Sequence, residues 1–187
     1  MRIYFATSNV GKFAEAKAII GKSLVQKAID LDEIQDMDVN KVIIHKIRQA
    51  RESFDGPLVV DDTGLYIEAL NGFPGALVKP MLLTVGKEGI CRLLDRYGSR
   101  RAQARTAVAY LEGKHLKVFS SSVNGTIVDR PRGKHRRKGF GFEFIFMPDG
   151  SRKVFAEMNI EEKGRFAARA KSFMKLRDYL LEEKALI

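Results

Sequence analysis

The chain has 187 residues, of which 45% are hydrophobic and 30% charged, and its formal net charge is +10. The single cysteine, Cys91, excludes an internal disulfide and a metal motif built on paired cysteines. No apolar run approaches the roughly 18 residues that a membrane-spanning helix needs, and the N-terminal residues do not resemble a secretory signal. We therefore expect one cytoplasmic domain, residues 1–187, without a membrane partner and with a basic surface that meets polyanions readily.

The first strand and helix predict an anion site at their junction. Residues 2–7 read as a strand, and the apolar spacing that follows is helical. The junction, TSNVGK at 7–12, presents a helix N-terminus with Lys12 at its mouth, which favours an anion. It is not a Walker A loop, because Ala6 and Phe13 replace the required Gly and Ser or Thr. The alternative is an ordinary capped turn.

The next segment predicts an edge strand and an amphipathic helix. Residues 24–34 read as a strand running into an acidic stretch, and Asp38 then caps a helix. Lys46 and Arg48 lie off the apolar stripe, where ordinary solvated charge is the default, and His45 is interpreted as a surface residue. The predicted apolar face comprises Val39, Val42, Ile43, Ile47, Ala50 and Phe54.

Two adjacent carboxylates follow a short apolar strand. Residues 58–60 form that strand, and Asp61 and Asp62 come at its predicted carboxyl end, where ligands often bind in open α/β sheets. Turns are predicted at 63–64 and at 73–75, which makes the stretch a hairpin-like clip. The alternative is that the two carboxylates only cap turns.

Antiparallel strands are predicted in the second half of the chain. A helix at 86–97 precedes a period-two pattern over 103–128, with turns at 113–114 and 124–125. The residues that we expect to point inward from the helix are Ile90, Leu93, Leu94 and Tyr97. The basic run at 130–138 is interpreted as a solvated loop.

Aromatic residues and cations mark the C-terminal part of the chain. GFGFEFIFMPDG, residues 139–150, predicts a strand that either buries one aromatic face or stacks a planar ligand on one ring, and 153–156 predicts another strand. A long helix then begins near Glu161. Its first turns carry positive charge, which is unfavourable for the helix dipole and useful for an anion, at Lys163, Arg165, Arg169 and Lys171.

Helices alternate with strands early and strands cluster late, so we predict an α/β fold with a mixed, twisted central sheet flanked by helices. The candidate site combines four features: an anion-binding turn with Lys12, the carboxylates of Glu33 and Asp62, several isolated basic residues, and a strand rich in aromatic residues. Such a set suits a Mg²⁺-bound triphosphate with a stacked base.

The chain resembles the inosine triphosphate pyrophosphatase family, whose members hydrolyse non-standard purine nucleoside triphosphates to monophosphate and pyrophosphate. The resemblance runs nearly end to end through TSNVGKFAEA, DLDEIQ, VVDDTGLYIEALNGFPG, GFGF.FIF.PDG and FAEMNIEEKGRFAAR. It implies a two-lobed α/β fold with the active-site cleft between the lobes, and a homodimer.

The resemblance also implies residue roles. Residues 7–12 would wrap the triphosphate, with Asn9 and Lys12 in direct contact. Glu33 and Asp62 would bind Mg²⁺, and Asp62 or Asp61 would orient or deprotonate the attacking water. The remaining substrate contacts would be phosphate or sugar contacts by Lys46, Lys79 and Lys163, base contacts by Phe142 and Arg169, and neighbouring positions at Thr7, Ser8, Thr63, Phe140, Gly141 and Glu143.

Two departures from the family pattern bear on the base. The family usually has an aromatic-Asp-Pro sequence where this chain has Phe142, Glu143 and Phe144. Its Ser-His-Arg near the C-terminus is replaced by Ala167 and Ala168 before Arg169. Because alanine cannot donate a side-chain hydrogen bond, we expect relaxed base selectivity.

Two other functions stay open from the sequence. One is a protein that binds nucleic acid through residues 130–138, although no aromatic residue interleaves that basic run. The other is a nucleotide-binding paralogue that has lost turnover.

Overall fold

The structure, a computed structural model, describes residues 2–133 and 141–185. Its strands are β1 (Ile3–Ala6), β2 (Leu24–Lys27), β3 (Leu58–Ile67), β4 (Pro74–Gly75), β5 (Arg101–Glu112), β6 (His115–Ile127) and β7 (Phe146–Pro148). Its helices are α1 (Val10–Ile20), α2 (Val39–Ser53), α3 (Val78–Thr84), α4 (Gly86–Leu93), α5 (Ile160–Phe166) and α6 (Ala168–Ala185). Within these ranges no helix is both long and apolar enough to cross a membrane.

The strands form one mixed sheet, as the sequence predicts. In the described ranges the sheet has seven strands in the order β2-β1-β3-β5-β6-β7, with β4 paired to β3. Strand β1 runs parallel to β2 and β3, and the other pairings are antiparallel. The β5–β6 hairpin turns at 113–114, as predicted. Strand β2 lies at the sheet edge, also as predicted.

Helices cover both faces of the sheet in the first lobe. Strand side chains alternate between the two faces, so Val59 packs with α1 and α6 while Leu58 and Val60 pack with α2. On the first face Phe5 meets Phe173 of α6 edge to face, with the ring centroids 5.4 Å apart. This alternation fixes the direction in which each residue of β3 points.

The second lobe surrounds the far ends of the long strands. Its core joins Leu65 and Ile67 of β3 to Ala102 and Ala104 of β5, and α3, α4 and the segment 142–146 cover them. Residues 61–63 of β3 lie where the core of one lobe gives way to the core of the other. The fold thereby leaves a cleft over the middle of β3.

Strand β3 is longer than the sequence predicts. Asp61 and Asp62 lie inside the strand and not at its end, and the turn predicted at 63–64 is wrong. Gly64 is extended because it pairs with Arg105 of β5, and a glycine is required there since a Cβ would lie 2.8 Å from the Gly75 carbonyl carbon. The chain reverses direction near the turn predicted at 73–75, but the turn lies at 71–73, and Pro74–Gly75 form β4, which pairs antiparallel with β3.

Other local predictions are wrong for similar reasons. Residues 124–125 continue β6 instead of turning, because β7 pairs with that end of the strand. The strand predicted at 153–156 is a 3₁₀ helix at Phe155–Glu157, where the Glu157 carboxylate accepts the Val154 N–H at 2.8 Å. Leu93 and Tyr97 are 40% and 44% exposed, not inward.

The aromatic segment and the C-terminal helix also differ from prediction. Phe142–Phe144 is a 3₁₀ helix whose Phe142 and Phe144 are buried, and among the described residues 141–150 only Phe146–Pro148 is a strand. The C-terminal helix is divided at Ala167, whose backbone is extended. The two helices then direct one cation each: Arg169 of α6 reaches Asp61 of β3, and Lys163 of α5 reaches Glu15 of α1 and Glu143.

Candidate active site

A cleft of about 630 Å³ lies between the two lobes over the middle of β3. Phe140 lies outside the described residues. Every other site residue predicted from the sequence lines the cleft: Thr7, Ser8, Asn9, Lys12, Glu33, Lys46, Asp61, Asp62, Thr63, Lys79, Gly141, Phe142, Glu143, Lys163 and Arg169.

The junction of β1 and α1 forms the predicted helix N-terminus. Asn9 is the N-cap, and its Oδ1 accepts the backbone N–H of Lys12 at 3.0 Å. The Thr7 hydroxyl accepts the Asn9 N–H at 3.2 Å. Because the cap satisfies only some of the first N–H groups, the remainder and the positive end of the helix dipole are available to an anion.

Asp61 points to the face of the sheet that carries α1 and α6. Its Oδ1 accepts from Lys12 Nζ at 3.0 Å and its Oδ2 from Arg169 Nε at 2.8 Å, and its side chain is 1% exposed. Burial alone would raise the pKa of this carboxyl, but the charges of Lys12 and Arg169 outweigh burial and lower the pKa to about 2. Asp61 is therefore an ionised anchor for two cations.

Asp62 points to the opposite face, toward α2. Its Oδ1 accepts from Lys46 Nζ at 2.9 Å, and the same ammonium donates to Glu33 Oε1 at 2.8 Å. Burial is the largest influence on Asp62 and raises its pKa, against the opposing charge of Lys46. A buried carboxylate with a raised pKa is suited to accept a proton.

Lys46 is 6% exposed, so the expectation of ordinary solvated charge at this position is wrong. The helical stripe did not reveal its burial because its partners come from other segments. The carboxylates of Glu33 and Asp62 neutralise Lys46 and raise its pKa in spite of burial. Lys79, on α3, donates to the other oxygen of Glu33 at 3.4 Å.

Glu33 and Asp62 offer a small site for a hard cation. Both present carboxylate oxygens to one ammonium, so their side chains converge on a common position. Among residues 2–133 and 141–185, no group of three or more His, Cys, Asp or Glu is arranged to hold a metal ion. Mg²⁺ commonly takes one or two protein carboxylates and completes its shell with phosphate and water, so this pair fits Mg²⁺.

The far end of the cleft combines aromatic, small and charged residues. Lys163 lies between Glu15 and Glu143, with its Nζ 2.5 Å and 2.6 Å from their carboxylate oxygens. Phe142 is 8% exposed, so only part of its ring is open to the cleft. The buried alanines at 167 and 168 contribute methyl groups and no side-chain donor.

Sequence reasoning did not single out Glu15 or Thr106. Glu15 binds Lys163 and also accepts from Arg169 Nη1 at 2.8 Å. Glu15 lies one helical turn after Lys12, inside the block TSNVGKFAEA that carries the family resemblance, but neither observation assigns it a role. Thr106 is buried on β5 opposite Thr63, and the two hydroxyl oxygens are 2.9 Å apart; no sequence signal marks it.

The basic run at 130–138 is described only in part, because residues 134–138 lie outside the described ranges. Nucleic-acid contact through this run stays a prediction, and so does the homodimer.

Taken as a whole, a two-lobed mixed sheet with a helix N-terminus, paired carboxylates and several lysines in one cleft defines a phosphate-binding α/β protein. The chain belongs to the Ham1 family, whose model matches residues 3–179. This confirms the resemblance drawn from the sequence.

Individual relatives match over nearly their whole length. The chain is 37% identical over 183 residues to the dITP/XTP pyrophosphatase of Methanopyrus kandleri, covering 96% of each chain. It is 38% identical over 186 residues to the inosine triphosphate pyrophosphatase of Schizosaccharomyces pombe, covering 97% of this chain and 96% of that one. A HAM1 protein structure from Coxiella burnetii matches with a TM-score of 0.83 at 25% identity, over 97% of this chain and 99% of that one.

Proposed function

We propose that this protein hydrolyses non-standard purine nucleoside triphosphates, such as those of inosine and xanthosine, to the monophosphate and pyrophosphate. The observation that carries the proposal is the single cleft that joins the α1 N-terminus, Lys12 and the Asp62–Lys46–Glu33 cluster. The names of relatives at 37% and 38% identity, which align over nearly the full chain, support it.

The residues divide into two roles along the cleft. The N–H groups at the start of α1 and the ammonium of Lys12 bind the phosphates, with Lys46, Lys79 and Lys163 neutralising further oxygens. Asp62 orients the attacking water or accepts its proton, because its carboxylate lines the cleft next to Lys46 and Glu33. Asp61, whose pKa is about 2, holds Lys12 and Arg169 in place and remains ionised throughout.

Glu33 and Asp62 are the residues that would hold Mg²⁺. Bound there, the ion would supply charge neutralisation on the phosphates and a more acidic water. Lys46 pairs with both of these carboxylates in the structure. With the ion bound, its ammonium would lie next to the ion and would contact a phosphate oxygen.

We infer relaxed selectivity for the base. Ala167 and Ala168 line the cleft without a side-chain donor, and three of the five N–H groups of Arg169 donate to protein oxygens, on Asp61, Glu15 and Thr63. The base is then bound mainly by stacking near Phe142 and by few hydrogen bonds. The difference in affinity between a purine with a keto group and one with an amino group is therefore smaller.

The test is pyrophosphate release from inosine, xanthosine, adenosine, guanosine, cytidine and uridine triphosphates with Mg²⁺. Asp62→Asn is the inactive control. In ¹⁸O-labelled water the label is expected in the monophosphate, because water attacks the α-phosphorus. Release of orthophosphate, or no release from any of the six, contradicts the proposed activity. A sharp preference for inosine and xanthosine triphosphates over adenosine triphosphate contradicts relaxed selectivity alone.

A further inference from the structure

Glu15 binds two cations of the cleft at once, and the reaction described above assigns it no role. Its Oε1 lies 2.5 Å from Lys163 Nζ and its Oε2 lies 2.8 Å from Arg169 Nη1. Glu15 is on α1, Lys163 on α5 and Arg169 on α6, so this one carboxylate joins three helices. The charges of Arg169 and Lys163 lower the pKa of Glu15 although burial opposes them.

The contacts of Glu15 close a ring with the phosphate-binding turn. Lys12 precedes Glu15 by one turn of α1 and binds Asp61, and Asp61 binds Arg169, which returns to Glu15. The position of Lys12 is thus tied to the position of Arg169 by two routes. A change at Glu15 removes one route and leaves the other.

Lys163 has room to move if Glu15 is removed. Beside it lies a second cavity of about 390 Å³, lined largely by apolar residues of α1, α5 and α6, and Lys163 and Glu15 form part of its wall. Without Glu15, Lys163 keeps a single carboxylate partner, Glu143, whose side chain is 31% exposed. A long lysine side chain with one exposed partner and free space beside it adopts several rotamers.

We propose that Glu15 is a positioning residue that holds Lys163 and Arg169 at the spacing the pyrophosphohydrolase reaction requires. It acts through these two cations and does not touch the substrate. The inference rests on the proposed function. Since the cations themselves remain when Glu15 is changed, attraction for the triphosphate persists while the geometry of the reacting complex degrades, so kcat falls more than KM rises.

The test compares Glu15→Gln with Glu161→Gln in the full chain. Glu161 also pairs with an arginine, Arg165 at 2.7 Å, but this pair is exposed on α5 and makes no contact with the cations of the cleft. For inosine triphosphate with Mg²⁺, Glu15→Gln is expected to lower kcat by roughly tenfold to a hundredfold, with KM within about threefold of the wild type. Glu161→Gln is expected to match the wild type. Glu15→Asp keeps the charge, but its side chain is one methylene shorter and is expected to reach only one of the two cations. Its kcat is therefore expected to lie between those of the wild type and Glu15→Gln.

Thermal unfolding of each variant separates positioning from folding. A wild-type kcat in Glu15→Gln overturns the inference, and so does a loss of kcat that only follows a loss of folded protein. An active wild type with an equally active Glu15→Gln leaves the proposed function standing. A wild type that releases no pyrophosphate from any triphosphate overturns both.

Discussion

Replacing Asp61 with asparagine should destabilise the fold by an amount that depends on pH. Asp61 is buried and holds Lys12 and Arg169 at 3.0 Å and 2.8 Å. Lowering its pKa from 3.8 to about 2 corresponds to roughly 2.5 kcal/mol of stabilisation at neutral pH. Breaking a buried ion pair typically costs about 3–5 kcal/mol, and this figure describes the same interaction with Lys12 and Arg169, so the two values are alternative estimates and are not summed. Lys12 is 24% exposed and water compensates part of that cost, so we expect a loss near 2–4 kcal/mol.

The sign of the pH dependence follows from the lowered pKa of Asp61. Its contribution is complete above the unfolded value of 3.8 and is lost as the pH falls through that value toward about 2. Urea unfolding followed by circular dichroism should therefore show a large difference in the free energy of unfolding between wild type and Asp61→Asn at pH 7, and a smaller difference near pH 2.5. Other acidic groups titrate in both proteins and cancel in the difference. A difference in unfolding free energy below about 1 kcal/mol at pH 7, or an equal difference at both pH values, would refute the role of Asp61 as the anchor of Lys12 and Arg169.

Asp62→Asn is the matched control, because it makes the same chemical change at the next residue of the same strand. Burial raises the pKa of Asp62, so the contribution of this group to stability is present below its unfolded pKa and is lost as the pH rises through its folded pKa. Removing the charge at pH 7 should change stability by less than about 1 kcal/mol, since Lys46 keeps Glu33 as a partner. Pyrophosphate release, in contrast, should fall by about a hundredfold or more. Equal stability losses in the two variants would contradict this division of roles.

Three further outcomes are expected. Chelation should abolish pyrophosphate release and Mg²⁺ should restore it, with Glu33→Gln needing roughly tenfold more Mg²⁺; activity unaffected by chelator would contradict the metal site. Ala167→Ser combined with Ala168→His should raise the ratio of kcat/KM for inosine over adenosine triphosphate by about tenfold, and an unchanged ratio would remove the explanation for relaxed selectivity. Burial raises the pKa of Cys91 to about 11, so a thiol reagent at pH 8 should label it only on unfolding, and rapid labelling of the native protein would show that this helix opens.

Local signals predicted the elements that carry them. Asp38 caps α2 through its side-chain oxygen, as predicted, and the N–H group that it accepts is only two residues further along the chain. The apolar face of α2 was likewise readable, because helical periodicity is a property of the segment itself. These parts of the fold needed no knowledge of distant residues.

Residues whose environment comes from distant segments were not predictable in the same way. Gly64 looks like a turn residue, yet it lies inside β3 because it pairs with Arg105 of β5. Lys46 looks solvated and is buried by Glu33 and Asp62. The pairing of Glu15 with Lys163 joins residues 148 positions apart, so no local pattern marks it. The motifs give most of the polar residues that line the cleft, but they assign no role to Glu15, which binds two of those residues.

The charges of the cleft explain why a metal ion belongs in the proposed reaction. The cations that contact Asp61, Asp62, Glu33 and Glu15 are all engaged in ion pairs, so the site is close to electrical neutrality before a ligand enters. A triphosphate adds several negative charges to a cleft with little unpaired positive charge, and bringing it there alone would leave part of that charge uncompensated. A divalent cation bound with the phosphates would supply the missing positive charge, and Glu33 and Asp62 are the residues that would hold it. Lys46, which lies between these two carboxylates, would then be available to contact phosphate oxygens.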